Sequence, residues 1–176
     1  FLHRYMRSRH KIILDRFVAR PAALILNAIA WPLGQVMRRS HDDSPSSVKV
    51  IAIAKLLGMG SILRATPLIR ALKEKYPGAL YLFITARKNE QLLTHIPGID
   101  RVLYIDESAA LSLIRDTLDL IASLWKFKVD LYFDLEVYSA FSAMLPALGC
   151  ARNRYGFYAG SAVFKRGLHT HLIYFN

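Results

Sequence analysis

Residues 48–85 read VKVIAIAKLLGMGSILRATPLIRALKEKYPGALYLFIT. The stretch opens on a short run, 48–54, that is apolar except at Lys49, as a strand buried on both faces requires. Two glycines, Gly58 and Gly60, follow at once and permit a tight turn. Thr66-Pro67 then starts a helix over 68–76 whose Leu68, Ile69 and Leu72 share one face, and Pro77-Gly78 stops it. A second apolar run, 80–85, completes the set. Strand, glycine loop, helix and strand in that order predict a parallel α/β sheet.

The same alternation continues downstream. A short helix is expected over 89–95, a strand at 101–105, a long amphipathic helix over 109–127, a strand at 131–135, a helix over 139–148 and a strand at 154–157. A further strand-like run occupies 171–175. The fold class is therefore α/β, a Rossmann-like parallel sheet with flanking helices over 48–176. Residues 40–47, SHDDSPSS, are polar, contain Pro and read as a linker.

Residues 1–39 differ from the rest. Arg4, Arg7, Arg9 and Lys11 lead into an apolar stretch that closes on Arg38-Arg39, and Arg20, Pro21, Asn27, Pro32 and Gln35 interrupt it. These interruptions make a poor spanning helix. The expected form is a broken helix or helical hairpin lying on an anionic membrane surface, with Trp31 near the headgroups; an ordinary helix packed on the domain is the alternative.

The chain has 176 residues, is 53% hydrophobic and carries a formal charge of +11. That length holds one full core plus an appendage. The charge favours an anionic partner: nucleic acid, an anionic leaflet or a phosphorylated substrate. Nucleic acid is not expected, because there is no zinc-finger spacing, no aromatic RNA-binding signature and no unbroken basic run. Cys150 is the single cysteine, which excludes an intrachain disulfide framework and fits a reducing, cytoplasmic setting. Six dispersed histidines give no metal-ligand spacing, and no metal is expected.

In an open parallel sheet the ligand crevice lies at the carboxyl ends of the strands. After the first strand that edge carries Lys55, Gly58, Met59, Gly60, Ser61 and Arg64. The glycines either cradle a phosphate or sugar hydroxyl or serve only the strand-to-helix turn; a dinucleotide fingerprint is incomplete, because its third glycine is absent near Arg64. After the strand at 131–135 the edge carries Asp134 and Glu136. Extended alternation places both carboxylates on one side, as a general base or sugar-hydroxyl acceptors; in the alternative, Asp134 binds local amides and Glu136 is solvated.

Residues 50–73, VIAIAKLLGMGSILRATPLIRALK, followed by Tyr76-Pro77-Gly78-Ala79, resemble the opening of the ADP-heptose:lipopolysaccharide heptosyltransferase family, glycosyltransferase family 9. Residues 89–106 and 130–157 resemble its next units, and most of 48–175 is covered. The resemblance implies the N-terminal, acceptor-binding half of a two-domain GT-B fold. A nucleotide-sugar donor would bind mainly to a C-terminal domain that this sequence does not contain, and no further cofactor is implied. The implied reaction is inverting sugar transfer to a cell-envelope glycan or glycolipid, by a protein peripheral on the cytoplasmic side of the inner membrane. The chain is then an acceptor-binding fragment, expected to be inactive alone.

The family usually places an Asp directly after the loop glycine as the base, and Ser61 stands there in this chain. Glu136 becomes the candidate base, with Ser61, Lys55, Gly58, Met59, Gly60, Arg64 and Asp134 around the acceptor. A non-catalytic ligand-binding or membrane-docking module is the alternative function.

Overall fold

The computed structural model describes residues 13, 15–37, 41–160 and 163–174. Its centre is a six-stranded sheet, all parallel, built from β1 (Val50–Ala54), β2 (Leu80–Ala86), β3 (Arg101–Ile105), β4 (Leu131–Asp134), β5 (Asn153–Tyr158) and β6 (His171–Tyr174). The order across the sheet is β3-β2-β1-β4-β5-β6. The chain thus works outward from β1 to β3, then returns to lay β4 against the other side of β1. The direction reverses between β1 and β4, and in sheets of this kind ligands bind at that reversal, beyond the carboxyl ends of the strands.

Alternate strand residues feed two cores. Ile51, Ile53, Tyr81, Phe83 and Leu131 pack against α2 (Met59–Leu63), α3 (Thr66–Lys75) and α4 (Glu90–Leu93). Ala52, Ala54, Leu82, Ile84 and Tyr132 face the other way, onto α5 (Ala110–Phe127) and α6 (Ala140–Leu148). This double burial explains why the strands read as unbroken apolar runs. The elements end where chain chemistry ends them: Lys73 and Lys75 occupy the last turn of α3 ahead of Pro77, and Lys128 leaves α5 in a left-handed conformation, φ 53°.

The N-terminal segment departs from the broken-helix expectation. A π-helical turn, Asp15–Ala19, runs into a helix, α1 (Arg20–Met37), which continues through Pro32. Pro21 follows the π-helical turn directly, so the helical stretch passes through it although it has no N–H to donate to the preceding turn. Ala19 and Ala23 of this segment pack on Ala140 and Ala143 of α6 and on Phe164 and Leu168. Asp15 Oδ1 accepts hydrogen bonds from the amides of Ala140 and Phe141 at 3.0 and 3.1 Å, supplementing the Ser139 cap of α6. Residues 4–11, the Trp31 side chain and Arg38-Arg39 lie outside the described residues, as does Phe175. The segment expected as a linker is itself docked: His41 Nδ1 lies 2.7 Å from Asn153 Oδ1, and Tyr76 donates to the Asp43 carbonyl at 2.9 Å.

Candidate functional site

The loops after β1 and β4 meet at the reversal point. Glu136, 8% exposed, reaches from the β4 loop to the β1 loop. Its Oε1 accepts the amides of Leu56 and Leu57 at 3.0 and 2.9 Å, and its Oε2 stands 3.0 Å from Lys55 Nζ. Lys55 Nζ also donates to the Leu135 carbonyl at 3.3 Å. From the other side Thr85 donates to the Lys55 carbonyl at 2.8 Å, while Asn89 Nδ2 donates to the Leu56 carbonyl at 3.0 Å and to Thr85 Oγ1 at 2.9 Å. The backbone at Lys55, Leu56 and Leu57 is therefore clamped from both flanks, with its buried polar groups paired.

Beyond the clamp the loop turns at Gly58, φ 86°, a conformation that disfavours any side chain, and enters α2 at Met59. Ser61 and Arg64 are exposed on α2 and its end, together with Leu57, Met59 and Leu63; Tyr138 is exposed on the β4 loop. The Ser61 amide is already used within the loop: it donates to the Gly58 carbonyl at 3.0 Å.

Asp134 does not join this group. It is 1% exposed and turns toward the segment after β5. Ser142 Oγ donates to Oδ1 at 2.6 Å, and Lys165 Nζ lies 3.4 Å from Oδ2 and also donates to the Glu136 carbonyl. His169 Nε2 lies 3.3 Å from Oδ2, off the line of a hydrogen bond. Burial pushes the Asp134 carboxyl up, but the His169 contact, the Lys165 ammonium and the Ser142 hydroxyl outweigh it and hold the carboxyl below its usual value. Asp134 thus belongs to a buried cluster with Ser142, Lys165 and His169. The chain explains the change of side: β4 ends at Asp134, whose Oδ1 accepts the Glu136 amide at 3.1 Å, so the extended alternation stops before Glu136 is reached.

The sequence reading missed Thr85, Asn89, Lys165 and His169. Their partners are remote along the chain, but Gly156 carried a signal for one of them. A Cβ there would fall 2.4 Å from the His169 ring.

Two surface clefts, about 390 and 480 Å³, lie away from these loops, one against Trp125, Lys128 and Arg152 and the other against Asn27 and Arg166. Among the described residues no group of three or more His, Cys, Asp or Glu side chains is arranged to hold a metal ion.

The sheet and its helices define a Rossmann-like α/β domain whose β1 and β4 loops meet at the reversal of strand order. Solved structures of similar fold are glycosyltransferases. The Escherichia coli ADP-heptose lipopolysaccharide heptosyltransferase II matches with a TM-score of 0.59 at 20% identity, over 73% of this chain and 35% of that one. A family 9 glycosyl transferase from Veillonella parvula matches with a TM-score of 0.60 at 18% identity, over 71% and 36%. An E. coli heptosyltransferase solved with ADP matches with a TM-score of 0.55 at 17% identity, over 72% and 41%. No protein-family model and no curated protein matches the chain. The chain is heptosyltransferase-like in fold, as its motifs implied, and its matched region spans between 35% and 41% of the length of these three structures.

Proposed function

We propose that this chain is the acceptor-binding half of an inverting glycosyltransferase. The observation that carries the reading is the Lys55–Glu136 pair, held at the sheet's reversal point on a clamped glycine loop in a heptosyltransferase-like fold. In the resting chain Lys55 holds Oε2, the one carboxylate oxygen not committed to backbone amides. An acceptor phosphate or carboxylate draws the Lys55 ammonium, helped by Arg64, and frees Oε2. Glu136 then takes the proton of the attacking hydroxyl as its oxygen bonds to the anomeric carbon and the nucleoside diphosphate departs. Ser61 and the exposed start of α2 orient the acceptor. The donor is a nucleotide-sugar, bound mainly by a second domain; no metal enters the scheme.

This division of labour has a direct consequence. The 176-residue chain alone should show no transfer from any nucleotide-sugar, as measured by nucleoside diphosphate release, while still binding acceptor. Measurable turnover by the chain alone would contradict the two-domain reading. The alternative, a ligand-binding module without chemistry, draws on Ser61 in the place the family usually gives to Asp.

The reading also places the protein on the cytoplasmic face of the inner membrane. Phe17, Val18, Leu24, Ile25 and Ile29 are exposed on and just before α1, opposite the alanines that pack on α6. No described helix is long and apolar enough to cross a membrane. Alkaline carbonate or high salt should release most of the protein from membrane fractions. Full retention after both washes, with one end protected from protease, would contradict surface binding.

A further inference from the structure

Among the described residues, four large apolar side chains on α5 stay mostly exposed. Leu111, Ile114, Leu118 and Trp125 are each more than half exposed, and their spacing of three, four and seven residues aligns them along one face of the helix. The opposite side of α5 is fully used, with Leu120 and Leu124 buried on the sheet and Leu113 and Phe127 packed beside them. A surface helix needs only one apolar face to stay docked, so the second requires a separate reason.

The position of the stripe supplies one. α5 and α6 cover the same face of the sheet, and the N-terminal segment packs on α6. Trp125 Nε1 donates to the Leu148 carbonyl at the end of α6 at 2.6 Å, which ties the stripe to that layer. α1 and α5 thus both adjoin α6, and each leaves an apolar face exposed. Cationic side chains border both: exposed Arg115 and Lys126 on α5, Lys128 at its end, Arg16 just before α1, and Arg20 at its start, 4.0 Å from Asp15. Asp119, 3.9 Å from Arg115, is the exposed acid along this part of α5, and its charge is balanced locally. A net charge of +11 opposes close approach of a second copy and favours an anionic surface.

We infer that the outer stripe of α5, Leu111, Ile114, Leu118 and Trp125, is a second lipid-contacting element that seats the domain on an anionic leaflet together with α1. The inference rests on the surface-binding reading above and extends it from a single N-terminal anchor to a two-point footing. Two points fix the orientation of the sheet over the bilayer, where one helix alone would leave the domain free to pivot. Trp125 is suited to the boundary, with an apolar ring exposed and its N–H already bonded.

The test uses the full chain carrying Trp31→Phe, which leaves Trp125 as the sole tryptophan. Vesicles of phosphatidylethanolamine with phosphatidylglycerol should shift its emission to the blue, and brominated lipid should quench it. Ile114→Ser with Leu118→Ser should lower the vesicle partition coefficient about tenfold or more, with an unchanged far-ultraviolet spectrum. Leu24→Ser with Ile25→Ser should lower it comparably. A bound chain whose Trp125 stays unquenched would overturn the two-point footing and leave α1 as the anchor. Failure to bind the vesicles at all would overturn both readings. A lipid-free dimer that the α5 variant dissociates would assign the stripe to a second copy and likewise overturn the inference.

Discussion

Replacing Lys165 by Met should lower the free energy of unfolding by about 3–5 kcal/mol, read from urea melts, because it strands a buried carboxylate. Lys165 and Asp134 have no solvent-exposed side-chain surface, and the ammonium is held between Asp134 Oδ2 and the Glu136 carbonyl. Removing the cation leaves Asp134 with two neutral donors, the Ser142 hydroxyl and the Glu136 amide, and an oblique His169 contact, but with no opposite charge from lysine. Asp134→Leu should be costly for the mirror-image reason. The double variant should be less destabilised than the two single losses summed, since no unpaired charge is left inside. A loss below about 1 kcal/mol for each single variant, the range of solvent-exposed pairs, would contradict this account of the cluster.

The same cluster sets a pH dependence. Folding holds the Asp134 carboxyl below its ordinary value, so its charged form is the one the fold favours. Its contribution is complete above the unfolded value of about 3.9 and disappears as pH falls through the lower folded value. The stability advantage of wild type over Asp134→Asn should therefore persist down to about pH 4 and shrink below it. An advantage already lost near neutral pH would contradict the shift.

Most of the sheet was legible because its strands are buried on both faces and interrupted by Gly, Pro and polar turns. β3 falls on the expected residues, and the other strand boundaries moved by two residues or fewer. The N-terminal segment was harder. Its prolines suggested a break, but Pro21 falls just after the change from π- to α-helical winding, and α1 continues past Pro32. Lys55 and Glu136 were both legible as residues, while their pairing across 81 positions was not. Expecting Asp134 and Glu136 on one face failed because alternation holds only while the chain stays extended, and here it stops at Asp134. Lys165 had no local signal and His169 only the indirect one of Gly156, because only the fold brings them 31 and 35 residues back to Asp134.

The proposed chemistry rests on Glu136. With a donor-binding half supplied, Glu136→Gln is the informative change, because the amide oxygen still accepts from Leu56 and Leu57 and keeps the loop in place, while the group can no longer take a proton. Ser61→Ala, which removes one neutral hydrogen bond, should slow transfer only about twofold to tenfold. Ser61→Asp, restoring the family's usual residue, should recover part of the Glu136→Gln loss if both side chains face one hydroxyl. The deciding measurement is the steady-state kcat and KM of Glu136→Gln beside wild type. The account predicts a kcat lower by about a hundredfold to ten-thousandfold with KM little changed; a near-normal kcat for Glu136→Gln, with activity abolished by Ser61→Ala, would contradict it.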